Sequence, residues 1–331
     1  QLGRTLSESW RAMRPVLSER VSALRVQEEK ATGLLLPAVA FQDGSGIGDL
    51  DYEIVIQGAR HGKGTLHPDL TLAIFGAGDG PKPSGLEARD PAYGLPGVWI
   101  DDAGRDAARD LDCTLVDPIT VLMTHLGEIV RTAAPQLLSR SQVVQLLEGV
   151  RTRQPGLVED LIPAILSVSD VQRILQALLA ENVSIRQIDL VIDALVDVGR
   201  HTKDHGELTE RVRQRLGHAI FSALRGSHDA LSVMSLSPRL ESQLLEAVRR
   251  SDQSEAFVID PRLAEQLLKK LIPLVDEMAA QRRAPVLLCG AELRRHLKTF
   301  TRRSAPRLSV VSVAEVPQSI DLHSFGVLQA E

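Results

Sequence analysis

The stretch PVLLCGAELRRHLKTFTRRSAPRLSVV, residues 285–311, reads as strand, helix, strand. Val286 to Cys289 is a short apolar run, and Gly290 breaks it. Glu292 to Thr301 follows as a helix, and Leu308 to Val311 is apolar again. Two strands joined through a helix cannot form a tight hairpin, so they are expected to pair in parallel within a small α/β region.

Upstream of this stretch the chain turns helical. Asp260-Pro261 and Ser237-Pro238 each place a capping side chain before a proline at the first helical position. The helix after Pro261 contains Pro273, which is expected to kink it. A long helix is expected from about Glu207 to Arg225. Before it, Ser184 and Gln187 match a capping box, with Ile188, Val191, Ile192 and Leu195 as the apolar face and Gly199 as the stop. Ser167 caps a helix through Val171, Ile174, Leu175 and Leu178, and another carries Val143, Leu146, Leu147 and Val150. Asp117-Pro118 opens a further helix, which Pro135 is expected to stop.

The first third mixes α and β. Residues 11–30 favour helix. Leu36 to Phe41 reads as a buried strand. Asp51 to Gly58 alternates cleanly, with Tyr52, Ile54 and Ile56 on one face. Gly62-Lys63-Gly64 reads as turn chemistry or the return of a hairpin. Leu70 to Phe75, Val98 to Ile100 and Cys113 to Val116 are further strands, and Gly76 to Asp90 is a loop. The fold class is therefore α+β, with several subdomains: small α/β subdomains around a helical middle.

Bulk composition agrees. The 331 residues are 44% hydrophobic and 24% charged, with only 3% aromatic. That length predicts two or three domains whose cores are filled by aliphatic side chains. A formal charge of −5 gives no electrostatic case for nucleic acid. The two cysteines, Cys113 and Cys289, are both flanked by apolar residues and read as buried thiols of a reducing compartment, with a single disulfide as the alternative. No run reaches the roughly 20 apolar residues of a membrane span, since Pro37 breaks the best candidate. No signal peptide is visible. The chain begins at Gln1, which suggests a piece of a longer protein with room for a membrane part upstream.

Candidate chemistry is sparse. Gly76, Gly78 and Gly80 follow an apolar run as a dinucleotide loop would, but Pro81 and Pro83 replace the helix start that phosphates need. His201 and His205 have helical metal-ligand spacing; Asp204 and Glu207 around them read as a helix cap. His125 lies among apolar helix residues and reads as a packed, hydrogen-bonded histidine. Gly290 before Arg294, Arg295 and Lys298 resembles an anion-binding turn. From Arg282 to Arg303 the chain carries seven Lys/Arg and one acid, Glu292, a basic face for an acidic partner or for solvent. No nucleophile elbow or zinc helix is present. No catalytic residue, cofactor or metal is expected.

Several stretches, in order, resemble the C-terminal cytoplasmic region of the FlhA/SctV family, the type III protein-export gate. They include Asp90-Pro-Ala-Tyr-Gly-Leu-Pro-Gly-Val-Trp-Ile100, Val116-Asp-Pro, Leu157-Val-Glu-Asp-Leu-Ile-Pro163, Val183-Ser-Ile-Arg186, Thr202-Lys-Asp, Pro285-Val-Leu-Leu and Ala305-Pro-Arg-Leu. The stretch from Leu157 to Gln176 looks flagellar; Ser139-Arg140-Ser141-Gln142 departs from the flagellar pattern. The resemblance implies a non-enzymatic docking platform at the cytoplasmic face of the bacterial inner membrane, with its membrane half absent here. It implies a homo-nonameric ring that binds chaperone–substrate complexes, components of the export ATPase complex and membrane export-gate proteins, and no nucleic acid. It implies four subdomains: residues 1–113 with 163–182, an inserted helical part 114–162, a third at 183–255 and a C-terminal α/β part at 256–331. The family's chaperone-docking dimple maps to Leu138 and Ser169, with Leu161 and Leu166 completing its wall. The alternatives are the injectisome branch of the same gate and, from a different class, an enzyme for a phosphate-bearing ligand.

Overall fold

The computed structural model describes residues 1–76, 81–251 and 259–329. The chain divides into two compact units, Gln1–Leu138 and Ser139–Glu331.

In the first unit, helices α1 (Arg4–Ser9) and α2 (Arg14–Thr32) precede strands β1 (Asp51–Ile56) and β2 (Ala59–Thr65). The alternation seen in the sequence does form β1, and residues 62–64 lie within its return strand, paired Ile54 with Gly62 and Glu53 with Lys63. The turn itself is Gln57-Gly58, both at positive φ (51° and 81°), the two-residue hairpin loop whose twist suits antiparallel strands. A second sheet orders β4 (Leu86–Arg89), β5 (Pro96–Ile100), β3 (Thr71–Ile74) and β6 (Thr114–Val116), antiparallel throughout. Short helix α3 (Arg105–Asp110) leads into β6, and α4 (Pro118–Leu137) closes the unit. Leu6, Trp10, Leu17, Tyr52, Leu72, Trp99 and Leu122 share one core.

Three expectations are corrected here. Residues 33–42 form no strand: Gly33 ends α2 at φ 80°, and the following chain folds back along the helix, its Leu36 amide donating to Glu29 (2.9 Å) and its carbonyl accepting from Arg25 (2.6 Å). Residues 86–89, expected in a loop, form edge strand β4. Pro135 does not stop α4. It sits in the last turn, where a missing amide costs only one hydrogen bond, and the helix runs on to Leu137.

The second unit begins with α5 (Arg140–Arg153), α6 (Leu157–Leu161), α7 (Val168–Ala180), α8 (Ile188–Val198), α9 (His205–Arg215) and α10 (Gly217–Arg225). Strand β7 (Leu231–Leu236), helices α11 (Pro238–Ser251) and α12 (Pro261–Ala280), β8 (Val286–Cys289), α13 (Ala291–Thr301), β9 (Ser309–Ser312) and β10 (Leu322–Leu328) follow. The sheet runs β10-β7-β8-β9 with every neighbouring pair parallel, as the strand–helix–strand stretch requires. One face of it packs Met234, Leu287, Cys289 and Val310 against Leu244, Leu271, Leu293 and Leu297. The sheet starts at Leu231, earlier than the boundary expected at residue 256, because β7 is the strand that joins β10 to β8.

Two helix readings also change. Ser184 does not cap α8; Gln187 is its N-cap, and the Ser184 hydroxyl instead accepts the Arg186 amide at 3.4 Å. The helix expected from Glu207 to Arg225 is two, α9 and α10, broken at Leu216-Gly217. Leu216 leaves helical geometry (φ −84°, ψ 3°), and beside this break a Cβ on Gly217 would lie 2.2 Å from the Glu315 carbonyl oxygen. Helix α12 continues on both sides of Pro273.

Candidate docking surface

Local sequence sets three helix starts in the region of the expected docking residues. Ser139 accepts the Gln142 amide (3.3 Å) while the Gln142 side chain accepts the Ser139 amide (2.9 Å), a reciprocal box that starts α5. Glu159 reaches back to the Gly156 amide (3.1 Å) at α6. Ser167 and Asp170 repeat the box at α7 (3.2 and 2.9 Å). The Ser167 start is as the sequence indicated, because capping depends on neighbours three residues apart; the Ser139 box and helix α6 are findings of the structure.

The four expected docking residues differ in exposure. Leu138, the C-cap of α4, is 1% exposed; it does not occupy the open loop edge that a helix stopped at Pro135 would have given. Within the second unit Leu161 is 0% and Leu166 3% exposed, so both are core side chains and not a wall open to solvent. Ser169 is half-buried, and its hydroxyl accepts from Arg140 Nη1 at 2.5 Å. The structure therefore brings Ser169 to Arg140 across packed helices α5 and α7, with Leu161 and Leu166 beneath the surface.

The same end of α7 meets α9. Asp170 Oδ1 lies 2.8 Å from His205 Nε2. Asp170 is held down to about 2, first by the Ser167 hydroxyl, then by the Ser167 amide and His205. Asp204 caps α9 through the Glu207 amide (2.7 Å), as its spacing indicated. His205 is thus bound to a carboxylate on another helix. Among the described residues no group of three or more His, Cys, Asp and Glu is placed to hold a metal ion.

At the far end of α7 lies a feature that the sequence did not reveal. Arg294, 1% exposed on α13, donates to Glu181 (2.6 and 3.0 Å) and to both oxygens of Glu210 (Nε to Oε2, 2.5 Å). Arg213 donates to Glu315 (2.9 and 3.2 Å) and Glu181 (3.3 Å). Burial opposes ionisation of Glu181, yet Arg294 and Arg213 hold its carboxyl below the usual range. Burial lowers Lys298, whose ammonium donates to the Leu308 carbonyl at 2.7 Å. The basic run that read as an outer face is therefore partly internal. The partners lie 84 to 113 residues away from Arg294, so no local signal could pair them.

The remaining candidates resolve similarly. The Gly290 amide does meet an anion, the chain's own Glu241 (2.8 Å). His125 is buried, with Nδ1 2.6 Å from the Tyr52 hydroxyl, and burial lowers its pKa. Gly76 is followed by residues 77–80, so the dinucleotide-like loop lies outside the described residues. Both cysteines are free thiols; Cys289 is buried and its thiol is pushed up to about 12, while Cys113 is only half-buried. Among the described residues no helix is long and apolar enough to cross a membrane.

The model described as the FHIPEP family matches residues 1–321. The flagellar biosynthesis protein FlhA of Bacillus subtilis is 30% identical over 312 residues, covering 94% of this chain and 46% of that protein. FlhA of Salmonella typhimurium is 32% identical, covering 90% of this chain and 42% of its own length. The chain thus spans less than half the length of these relatives. Among solved structures, the Chlamydia pneumoniae CdsV protein has TM-score 0.84 and 20% identity, covering 99% of this chain and 96% of that one. CdsV is also solved in complex with the CdsO protein (TM-score 0.79, 21% identity, 99% and 96% covered). Nonameric EPEC SctV-C, solved by cryo-EM, has TM-score 0.75 at 21% identity, covering 94% and 93%. These structural likenesses establish the fold.

Proposed function

We propose, from the premise that this chain belongs to the FHIPEP family, that it is the cytoplasmic docking platform of a type III protein-export gate. It assembles as a homo-nonameric ring, receives chaperone–substrate complexes and passes them to the export channel in the membrane. The family match across residues 1–321 carries this reading. The 30% identity to a flagellar FlhA across 94% of the chain favours the flagellar branch over the injectisome. The nonameric SctV-C neighbour supports the ring, and the CdsV–CdsO complex supports a protein partner from the export ATPase complex.

Docking is assigned to Ser169 at the start of α7 and Arg140 at the start of α5, with Leu161 and Leu166 as apolar residues that support it from within, and to Leu138 at the end of α4. The platform works by binding, without turnover. Electron microscopy of the full-length protein in detergent tests the assembly: ninefold ring particles are expected, and a protein that stays monomeric at high concentration refutes it. A melting-temperature shift with ATP, GTP or NAD would instead favour an enzyme acting on a phosphate-bearing ligand.

A further inference from the structure

The basic run from Arg282 to Arg303 divides in the fold. Arg294 and Lys298 turn inward, and Arg295 reaches Asp204 at 3.5 Å. Arg282 and Arg283 stand at the other end of the run, on the turn that closes α12. There Arg282 has φ 57°, and the amides of Arg282 and Arg283 donate to the carbonyls of Ala279 and Met278 (3.0 and 2.9 Å). This turn lies beside the start of β7: the Arg283 guanidinium donates through Nη1 to the hydroxyl of Ser232, a buried residue of that strand. Helix α10 ends at the same place. Its last residue is Arg225, after which the chain turns through Gly226 (φ 59°), with the His228 amide on the Arg225 carbonyl at 3.3 Å.

Arg225, His228, Ser232 and Arg283 line one shallow concavity. It is narrow, with room for about one water-sized group. Two guanidinium groups and an imidazole thus converge from two helix ends. Arg225 Nε is buried and meets no acceptor. Buried donors in folded proteins are nearly always paired, so this one calls for an acceptor from outside the chain. Among the described residues no carboxylate pairs with Arg225 or Arg283. The acids beside the strand starts, Asp229 and Asp321, are both exposed and bond to neither. The C-terminal carbonyls of α10 and α12 attract cations, which accounts for an arginine at each helix end. It does not account for both meeting at one notch, one oriented by a serine and the other with an unmet donor. Like charges side by side repel unless an anion lies between them.

We infer that this concavity binds a phosphate group, one oxygen seated between the guanidinium groups of Arg225 and Arg283, with His228 beside it. A phosphate monoester carries roughly −1.5 to −2 charges at neutral pH, which answers two guanidinium groups better than the single charge of a carboxylate does. The planar fork of donors on arginine suits phosphate oxygens, and Ser232 holds one of the two forks in direction. A bound phosphate ties the end of α10 to the end of α12 at the start of β7. The site is separate from the docking residues and does not depend on the ring or on docking.

The test titrates inorganic phosphate, and separately acetate, into this 331-residue chain at neutral pH and constant ionic strength, so that screening is the same in both. Amide NMR shifts and the melting temperature are followed. Phosphate is expected to raise the melting temperature and to move the amides of residues 225–232 and 282–284, with acetate on the order of tenfold weaker. Arg225→Gln and Arg283→Gln each remove one guanidinium and are expected to weaken phosphate binding by on the order of tenfold. Arg303→Gln, exposed at the far end of the same basic run, is expected to leave it unchanged. The Arg225 side chain has no bond within the described residues to lose, so its variant should melt as the native chain does and keeps the test decisive if Arg283→Gln fails to fold. Phosphate binding that ignores both substitutions shows an adventitious ion only and overturns the inference. Equal affinities for phosphate and acetate, or shifts confined to other elements, overturn it as well.

Discussion

Replacing Arg294 by Met removes the hub of the buried ionic cluster while keeping a side chain of comparable length. Arg294 is 1% exposed and bridges two carboxylates, Glu181 and Glu210, that come from different helices. In the variant Arg213 still meets Glu181 and Glu315, and Lys298 remains near, but Glu210 loses its ion pair with Arg294. Breaking a buried pair from one side typically costs ~3–5 kcal/mol, because the abandoned charge stays desolvated. The sign of the pH dependence follows. In the native protein Arg294 helps to hold Glu181 below its ordinary value, so that carboxylate stabilises the fold above the unfolded carboxylate range and the contribution is lost as pH falls. Burial pushes Glu210 upward even with Arg294 present. Without Arg294 the lowering of Glu181 weakens and Glu210 rises further, so the variant binds more protons in its folded state than the native chain does. Its deficit relative to the native chain should therefore be largest near pH 8 and shrink towards pH 5. Urea unfolding of both proteins at the two pH values, followed by circular dichroism, measures this. Adding Glu210→Gln restores the balance of charges and should recover part of the loss. A deficit below ~1 kcal/mol at pH 8, or one that grows on acidification, refutes the reasoning.

The docking residues separate by burial. Leu161→Asp places a charge at a fully buried position and should lose on the order of 2–5 kcal/mol in a thermal or urea melt. Leu138→Asp should fall in the same range, whereas Ser169→Ala should leave the melting temperature within a few degrees and act on partner affinity alone. Tyr52→Phe leaves His125 Nδ1 without its 2.6 Å hydrogen bond and should cost ~1–3 kcal/mol. Because burial lowers the His125 pKa, its neutral form should stabilise the first unit above the ordinary histidine range near pH 6.5, and that contribution should fade below it; NMR titration of the imidazole measures the displacement. Gly217→Ala should destabilise strongly, since the new Cβ would meet the Glu315 backbone at 2.2 Å. Gly206→Ala, whose Cβ meets only the flexible Arg295 guanidinium, should be mild; paired melts compare the two.

The sequence by itself determined what depends on neighbours a few residues apart. Asp117, Ser167, Asp204 and Asp260 cap the helices they precede, because an N-cap needs only a short side chain and the amides two or three positions on. The β1 alternation and the parallel β8–β9 pair were legible for the same reason: period and connection length are local properties. The family resemblance was legible too, since it rests on ordered motifs along the chain. Tertiary structure alone decided the rest. The helical pattern from Glu207 to Arg225 is interrupted at Leu216, and the next residue, Gly217, is met by a carbonyl 98 residues later that occupies the space of a side chain. β7 joins the C-terminal sheet across two intervening helices. Arg294 appeared as one more cation of a basic surface and proved to be buried, because its charge is neutralised by Glu181 and Glu210 from α7 and α9. Leu138, Leu161 and Leu166 carried no local sign of their burial, since apolar residues near a helix end suit a core and a docking wall equally well. What covers a residue is set by which distant elements fold over it, and neither spacing nor composition encodes that.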